Sequence, residues 1–170
     1  MGNLANMKRL DHLLLVLFAA LPCACSSNSP ANIAGTYSVQ ITNGSNGCNL
    51  ANYTVGNVTM DVGVTITQSG GSATATVTGT AGAYVQLVLG SDAFEGSVDG
   101  DDVDLQLDGT RAQTSGNCTY TYNAILTAAL ASNSLSGKID YTPATNGNSD
   151  CAAIAGCITE QDFAGSRAPQ

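Results

Sequence analysis

The chain has 170 residues and a formal charge of −8, from 13 acidic and 5 basic side chains. This length suits one domain with a sizeable core, and so acidic a surface repels phosphate backbones, which argues against nucleic-acid binding. The one histidine stands at position 12 and there is no tryptophan, so beyond the first residues no imidazole is left for a Ser-His-Asp triad, a Cys-His dyad or an HExxH zinc site.

The first element in chain order is an export leader. In Met7–Ser27 a basic head (Lys8, Arg9) precedes an unbroken apolar run, Leu13 to Leu21, followed by small residues and a Ser/Asn tract. That order is the pattern of a signal peptide, and the run is shorter than the about 20 apolar residues that span a bilayer. With Ala24 before Cys25, the end of the leader resembles the lipobox of bacterial lipoproteins. The resemblance implies a signal peptide over residues 1–24, a lipidated Cys25 and a membrane anchor without a spanning helix. Cys23 is the alternative attachment point, and a plain secretory signal cut near Ala24 is the alternative leader. Residues 25–33 read as a flexible tether. Ser26 after the cysteine implies, by the same resemblance, the outer membrane or cell surface. Cleavage removes His12, Lys8, Arg9 and Asp11, which leaves Arg111, Lys138 and Arg167 as the cations.

Residues 34–168 then read as a single β domain. Tyr37, Val39 and Ile41 share one face, with Ser38, Gln40 and Thr42 opposite. Val58, Met60, Val62, Val64 and Ile66 alternate with polar neighbours. Ser69-Gly70-Gly71-Ser72 turns the chain into Ala73, Ala75 and Val77. Val85, Leu87 and Leu89 read as the next strand. Phe94, Gly96 and Val98 lead through Asp99-Gly100, a strong hairpin signal, into Val103, Leu105 and Leu107. Asp108-Gly109 turns again. Cys118–Ala131 alternates as a long strand, although Asn123–Ala131 is rich enough in Ala and Leu for a short helix. Across Ser132-Asn133-Ser134 it faces Leu135, Gly137, Ile139 and Tyr141. Asp150–Gly156 reads as one helical turn, and Ile158–Arg167 as the stretch that closes the sheet.

Eight or nine sequential strands with short turns predict an all-β, antiparallel up-and-down meander, closed or nearly closed into a barrel. An immunoglobulin-like sandwich is the alternative, although that fold usually carries a buried Trp. A transmembrane barrel fits poorly, because most strands are short and one face is Thr and Asp.

Beyond the anchor stand Cys48, Cys118, Cys151 and Cys157, an even number that in an exported chain reads as two disulfides. Three pairings are possible. An up-and-down meander opens the Cys118 strand at the same barrel end as Cys151 and Cys157, which favours a bond between Cys118 and one of them. Cys48, in the long loop 42–57, then reaches the other.

The first strand opens Ala34-Gly35-Thr36-Tyr37, and the last readable element is Phe163-Ala164-Gly165-Ser166-Arg167. This pairing resembles the lipocalin-like (calycin) barrels, with Tyr37 in the place of the Trp of their G-x-W motif. The resemblance implies that Arg167 packs over Tyr37, a cation–π contact of about 0.5–2 kcal/mol. The whole chain is also similar to the small, cysteine-stapled β lipoproteins of bacteria, which implies a location in the envelope.

The inward line of small residues (Ala73, Ala75, Gly96, Ala124, Ala128, Gly137) predicts room for a small apolar ligand, since an eight-stranded barrel holds at most one. Tyr37, Met60, Phe94, Tyr120 and Tyr122 are the candidate lining, and the alternative is that such large side chains fill the space. The acidic run Asp99–Asp104 lacks the glycine and glutamate positions of a calcium loop and reads as a solvated hairpin tip. Neither a metal nor a cofactor is expected. Asp61 and Asp140 lie on apolar strands, as a glycosidase pair would, but alternation turns both to water. The Asn-x-Ser/Thr triplets at Asn43, Asn52, Asn57 and Asn117 read as turn-rich sequence. These features together predict a monomeric, non-enzymatic envelope protein that binds a small apolar ligand. The alternative is a structural or interaction module working through loops such as 42–57.

Overall fold

The computed structural model describes residues 29–167. The leader, Cys23, Cys25 and the first tether residues lie outside them. The described elements are β1 (Gly35–Asn46), β2 (Val58–Ser69), β3 (Ser72–Val77), α1 (Gly79–Leu89), β4 (Ala93–Asp99), β5 (Asp102–Leu107), β6 (Gln113–Ser115), β7 (Cys118–Ala131), β8 (Ser134–Thr145) and β9 (Thr159–Arg167). A single 3-10 turn, Ser149–Cys151, sits in the β8–β9 connection.

Every pairing is antiparallel, and sequential strands are neighbours from β1 to β5 and from β7 to β9. β5 pairs with β7, and β9 pairs back onto β1, so eight strands close into a barrel. β6 is an extra strand on the free half of β7. The expected up-and-down barrel is therefore the fold, and closure removes the outer edges of the sheet, leaving one-sided stretches where a longer strand outruns its neighbour, as β2 outruns β3 and β7 outruns β5. Asn123–Ala131 belongs to β7, which settles the strand-or-helix question in favour of alternation. Among the described residues, no helix is long and apolar enough to cross a membrane.

The two ends of the barrel are built differently. At one, three hairpins turn in two residues each: Gly70-Gly71, Gly100-Asp101 and Ser132-Asn133. Gly70, Gly100 and Ser132 take positive φ, the backbone geometry that such tight turns demand. This is the closed end. At the other, the loop end, lie the long connections 47–57, 108–117 and 146–158, together with α1.

The chain reaches β1 across the closed end. Ala31 N–H donates to the Gly100 carbonyl at 2.7 Å, Ile33 N–H to Gln68 Oε1 at 2.8 Å, and Gln68 Nε2 back to the Ala31 carbonyl at 2.9 Å. Ile33 is 0% exposed and plugs the floor of the barrel. The end of the stretch read as tether, residues 31–33, is docked on the barrel, because Ile33, its one large apolar side chain, finds the floor.

Two sequence expectations need correction. Val85, Leu87 and Leu89 do not form a strand. They lie on α1, whose buried and half-buried residues Ala81, Gly82, Val85, Val88 and Leu89 recur at helical spacing while Leu87 is 63% exposed. Met60 does not face the interior. A bulge at Met60-Asp61 sets two β2 residues against Gln40, between the pairs Val39↔Val62 and Ile41↔Thr59. Asp61 takes φ 56°, and the extra residue reverses the faces of Val58 and Met60. Met60 is accordingly 60% exposed.

Candidate functional site

The inward residues pack into one core that leaves a narrow hollow of about 50 Å³ along the barrel axis. It is lined at three successive inward positions of β1 (Tyr37, Val39, Ile41) and of β2 (Val62, Val64, Ile66). Ala75, Phe94, Leu105, Leu126, Leu135, Ile139 and Phe163 complete most of the wall. All of the lining residues are apolar or aromatic. At the floor, Tyr37 borders the hollow and its hydroxyl donates to the carbonyl of the buried Ile33 at 2.9 Å. Burial pushes the Tyr37 phenol above its ordinary range, and nearby Arg167 partly opposes the rise.

Arg167 does lie opposite Tyr37 in the register. Its guanidinium, however, spends its donors on oxygen. Nη1 donates to the Asn32 and Ala34 carbonyls, both at 3.0 Å, and Nε to Asn133 Oδ1 at 3.1 Å. The arginine thus ties the N-terminal approach to the last strand by hydrogen bonds, where a cation–π contact was expected.

Of the five candidate lining residues, Tyr37 and Phe94 border the hollow. Tyr120 and Tyr122 pack edge to face near the loop end, with ring centroids 5.6 Å apart, and are not part of the lining. Met60 lies on the outer wall, at the edge of a shallow groove of about 330 Å³ that crosses β2, β1, β9 and β8 over Ser38, Gln40, Ser136, Ala164 and Ser166. Most of the aliphatic lining residues, such as Val39, Val62, Val64 and Ile139, are not among the five candidates, although alternation marks inward faces of their strands.

The loop end carries polar order that no local motif announces. Tyr141 donates its hydroxyl to Gln161 Oε1 at 2.7 Å, Gln161 Nε2 donates to Asn43 Oδ1 at 2.8 Å, and Asn43 Nδ2 donates to the Thr54 carbonyl at 3.0 Å. Burial pushes the Tyr141 phenol far above the ordinary tyrosine range, with smaller contributions from Tyr53 and Tyr84 nearby. Thr159, fully buried, accepts from Cys48 N–H at 3.1 Å and donates to Asn46 Oδ1 at 3.2 Å. These bonds give the half-buried polar groups of Tyr141, Gln161 and Asn43 partners, which is what burial of polar atoms demands; the neighbouring Asp140 Oδ1 is buried without one.

Two disulfides hold the same end. Cys48–Cys157 joins the β1–β2 loop to the β8–β9 loop, and Cys118–Cys151 joins the start of β7 to the 3-10 turn. This is the favoured arrangement, Cys118 with one of the late pair and Cys48 with the other. The Asn117 backbone and side chain both donate to Asp150 Oδ2, at 2.9 and 3.0 Å, beside the second bridge.

The acidic candidates stay apart. Asp61 is on β2 and Asp140 on β8, with β1 and β9 between them. Asp99, Asp101, Asp102 and Asp104 are exposed at the tip and outer face of the β4–β5 hairpin, at the closed end. No cluster of His, Cys, Asp or Glu with metal-holding geometry is found among the described residues.

Comparison with known proteins yields no relative: no family model, no curated protein and no solved structure matches the chain. The observed barrel is compatible with a calycin-like one on its strand order and closure alone.

Proposed function

We propose that this chain is an exported bacterial envelope protein, anchored by lipid at Cys25, that binds a small apolar ligand inside its barrel without catalysis. The observation that carries the ligand reading is the axial hollow, lined by apolar side chains, with Tyr37 at the end where Ile33 is buried. Such a space stays dry, because water there finds no polar partner. Its size limits what it takes: about 50 Å³ lies far below the about 300–1,000 Å³ of pockets for drug-sized molecules. The ligand is thus a slender one of a few heavy atoms. The anchoring reading rests on the leader and Cys25. The absence of catalysis rests on the lack of an imidazole beyond His12 and on the separation of Asp61 from Asp140.

Xenon is the probe matched to such a space. Methyl resonances of Val39, Ile66 and Leu126 are expected to shift under xenon pressure, and Ala75→Val, which fills part of the hollow, to abolish the shift. Unmoved methyls in the wild-type chain would reduce the interior to plain core. For the anchor, palmitate labelling is expected to disappear in Cys25→Ala; label retained there would move the attachment elsewhere.

A further inference from the structure

The exposed apolar side chains are not spread evenly. Val55, Val58, Tyr84, Leu87 and Ile158 are all at the loop end, and Met60 and Ile125 are on the outer wall. Among the described residues, the closed end exposes no large apolar side chain. Scattered surface hydrophobics need no explanation, but a grouping on one end does.

That end is also built as one surface from four separate segments. The Gly47 N–H donates to the Ile158 carbonyl at 3.0 Å beside the Cys48–Cys157 bridge. Tyr53 donates its hydroxyl to the Glu160 carbonyl. The Leu89 carbonyl at the end of α1 accepts from Thr110 N–H at 2.7 Å and Arg111 N–H at 3.1 Å. Cys118–Cys151 ties the β6–β7 hairpin to the same assembly. Loops cross-linked in this way lose little further freedom on binding, which is the advantage of a preorganised interface.

Two facts indicate what covers it. The chain enters at the opposite end, where Ala31 and Ile33 are fixed to Gly100 and Gln68. On the anchoring reading above, Cys25 lies six residues before Ala31, so the tether reaches about 20 Å at most and holds the closed end, not the loop end, toward the bilayer. Among the described residues, the loop end also carries Asp92, Asp108 and Asp150 against Arg111, and a fourth carboxylate, Glu160, that is paired with Lys138 at 3.6 Å. We infer that the loop end is a docking surface for a protein partner that presents apolar side chains set among lysines and arginines. Apolar contacts at the centre supply the affinity, and the carboxylate rim supplies steering and selectivity.

The test is photo-cross-linking in intact producing cells, with benzoylphenylalanine placed at Tyr84 or Val55 of the full chain and, for comparison, at Ser97 near the closed end. One protein adduct of constant mass is expected from both loop-end positions and none from Ser97. Asp92→Lys with Asp108→Lys is expected to cut its yield about tenfold, as is Leu87→Ser. Both sets of substitutions lie on the surface and spare the core, and unchanged export and thermal melting verify that each variant is folded. The inference is overturned by lipid adducts at the loop end, by the same adduct from Ser97, by yield indifferent to the charge reversal, or by no adduct from either loop-end position. Palmitate labelling at Cys25 and the xenon measurement are read separately, so failure here leaves the anchor and the interior ligand standing.

Discussion

The closed end and the loop end of this barrel solve the same problem in different ways. The closed end uses two-residue turns, so its ladder of backbone hydrogen bonds runs almost to the tip, and one buried residue, Ile33, seals the floor. The loop end has long connections and no such ladder to close it. It is held by two disulfides, by the Tyr141–Gln161–Asn43 chain and by the packing of α1. Where turns are minimal, strand pairing and burial suffice. Where they are long, the entropy of each loop has to be offset by covalent links or buried polar networks. The loop end can therefore vary without disturbing the barrel, which is why recognition surfaces sit on such ends.

Reduction of the two bridges breaks this comparison most severely. They close 109 and 33 residues of chain, and loop-closure entropy puts their contributions at about 5 and about 4 kcal/mol. Denaturant unfolding with and without reductant is expected to show a loss of that order. Hydrogen exchange at low denaturant is expected to accelerate at 47–57 and 146–158 before the hairpins at 69–72 and 99–102 respond. Uniform acceleration at both ends would mean that the bridges stabilise the barrel as a whole.

The converse test removes the floor. Ile33→Ala deletes a fully buried side chain with backbone bonds on either side, at an expected cost of about 2–4 kcal/mol. Exchange protection is expected to fall at residues 31–37 and to persist around Cys48 and Cys118. Equal loss at the two ends would show that they unfold as one unit.

The strand half of this comparison was legible from alternation, and the rest was hidden for identifiable reasons. β1, β3, β5, β7 and β8 each alternate over enough residues to be read directly, and the turns at Gly70 and Gly100 carry their own chemistry. Val85, Leu87 and Leu89 mislead because their alternation imitates a strand, whereas on α1 Val85 and Leu89, four residues apart, share the packed face and Leu87 turns outward. Gly79 and Gly82 argue against a helix on propensity alone, and tertiary contact decides the matter: Gly82 lies so close to the Val77 carbonyl that no side chain fits there. Met60 was misplaced because a one-residue bulge leaves no mark on hydrophobic pattern, yet reverses every face beyond it. The loop-end network was invisible because its partners are distant in sequence; Asn43 and Gln161 are 118 residues apart.

Tyrosine ionisation offers the finest comparison of the two ends, since each has a phenol donating one hydrogen bond: the buried Tyr37 to the Ile33 carbonyl and the half-buried Tyr141 to Gln161. Loss of the Tyr141 hydroxyl leaves Gln161 Oε1 without that donor, so Tyr141→Phe is expected to cost about 1–2 kcal/mol at neutral pH. Burial raises both phenols above the ordinary value of 10.0, more strongly at Tyr141, while Arg167 offsets part of the rise at Tyr37. A raised folded-state pKa means that the stabilisation is fully present below about pH 10, where the unfolded phenol ionises, and is lost as pH rises further toward the folded value. Urea midpoints followed from about pH 8 to about pH 11.5 are expected to fall steeply above pH 10 in the wild-type chain. Tyr141→Phe is expected to flatten that fall more than Tyr37→Phe does, with Tyr53 and Tyr122, also raised by burial, accounting for much of what remains. Equal flattening by the two variants would mean that the two phenols are raised equally and that Arg167 offsets nothing at Tyr37.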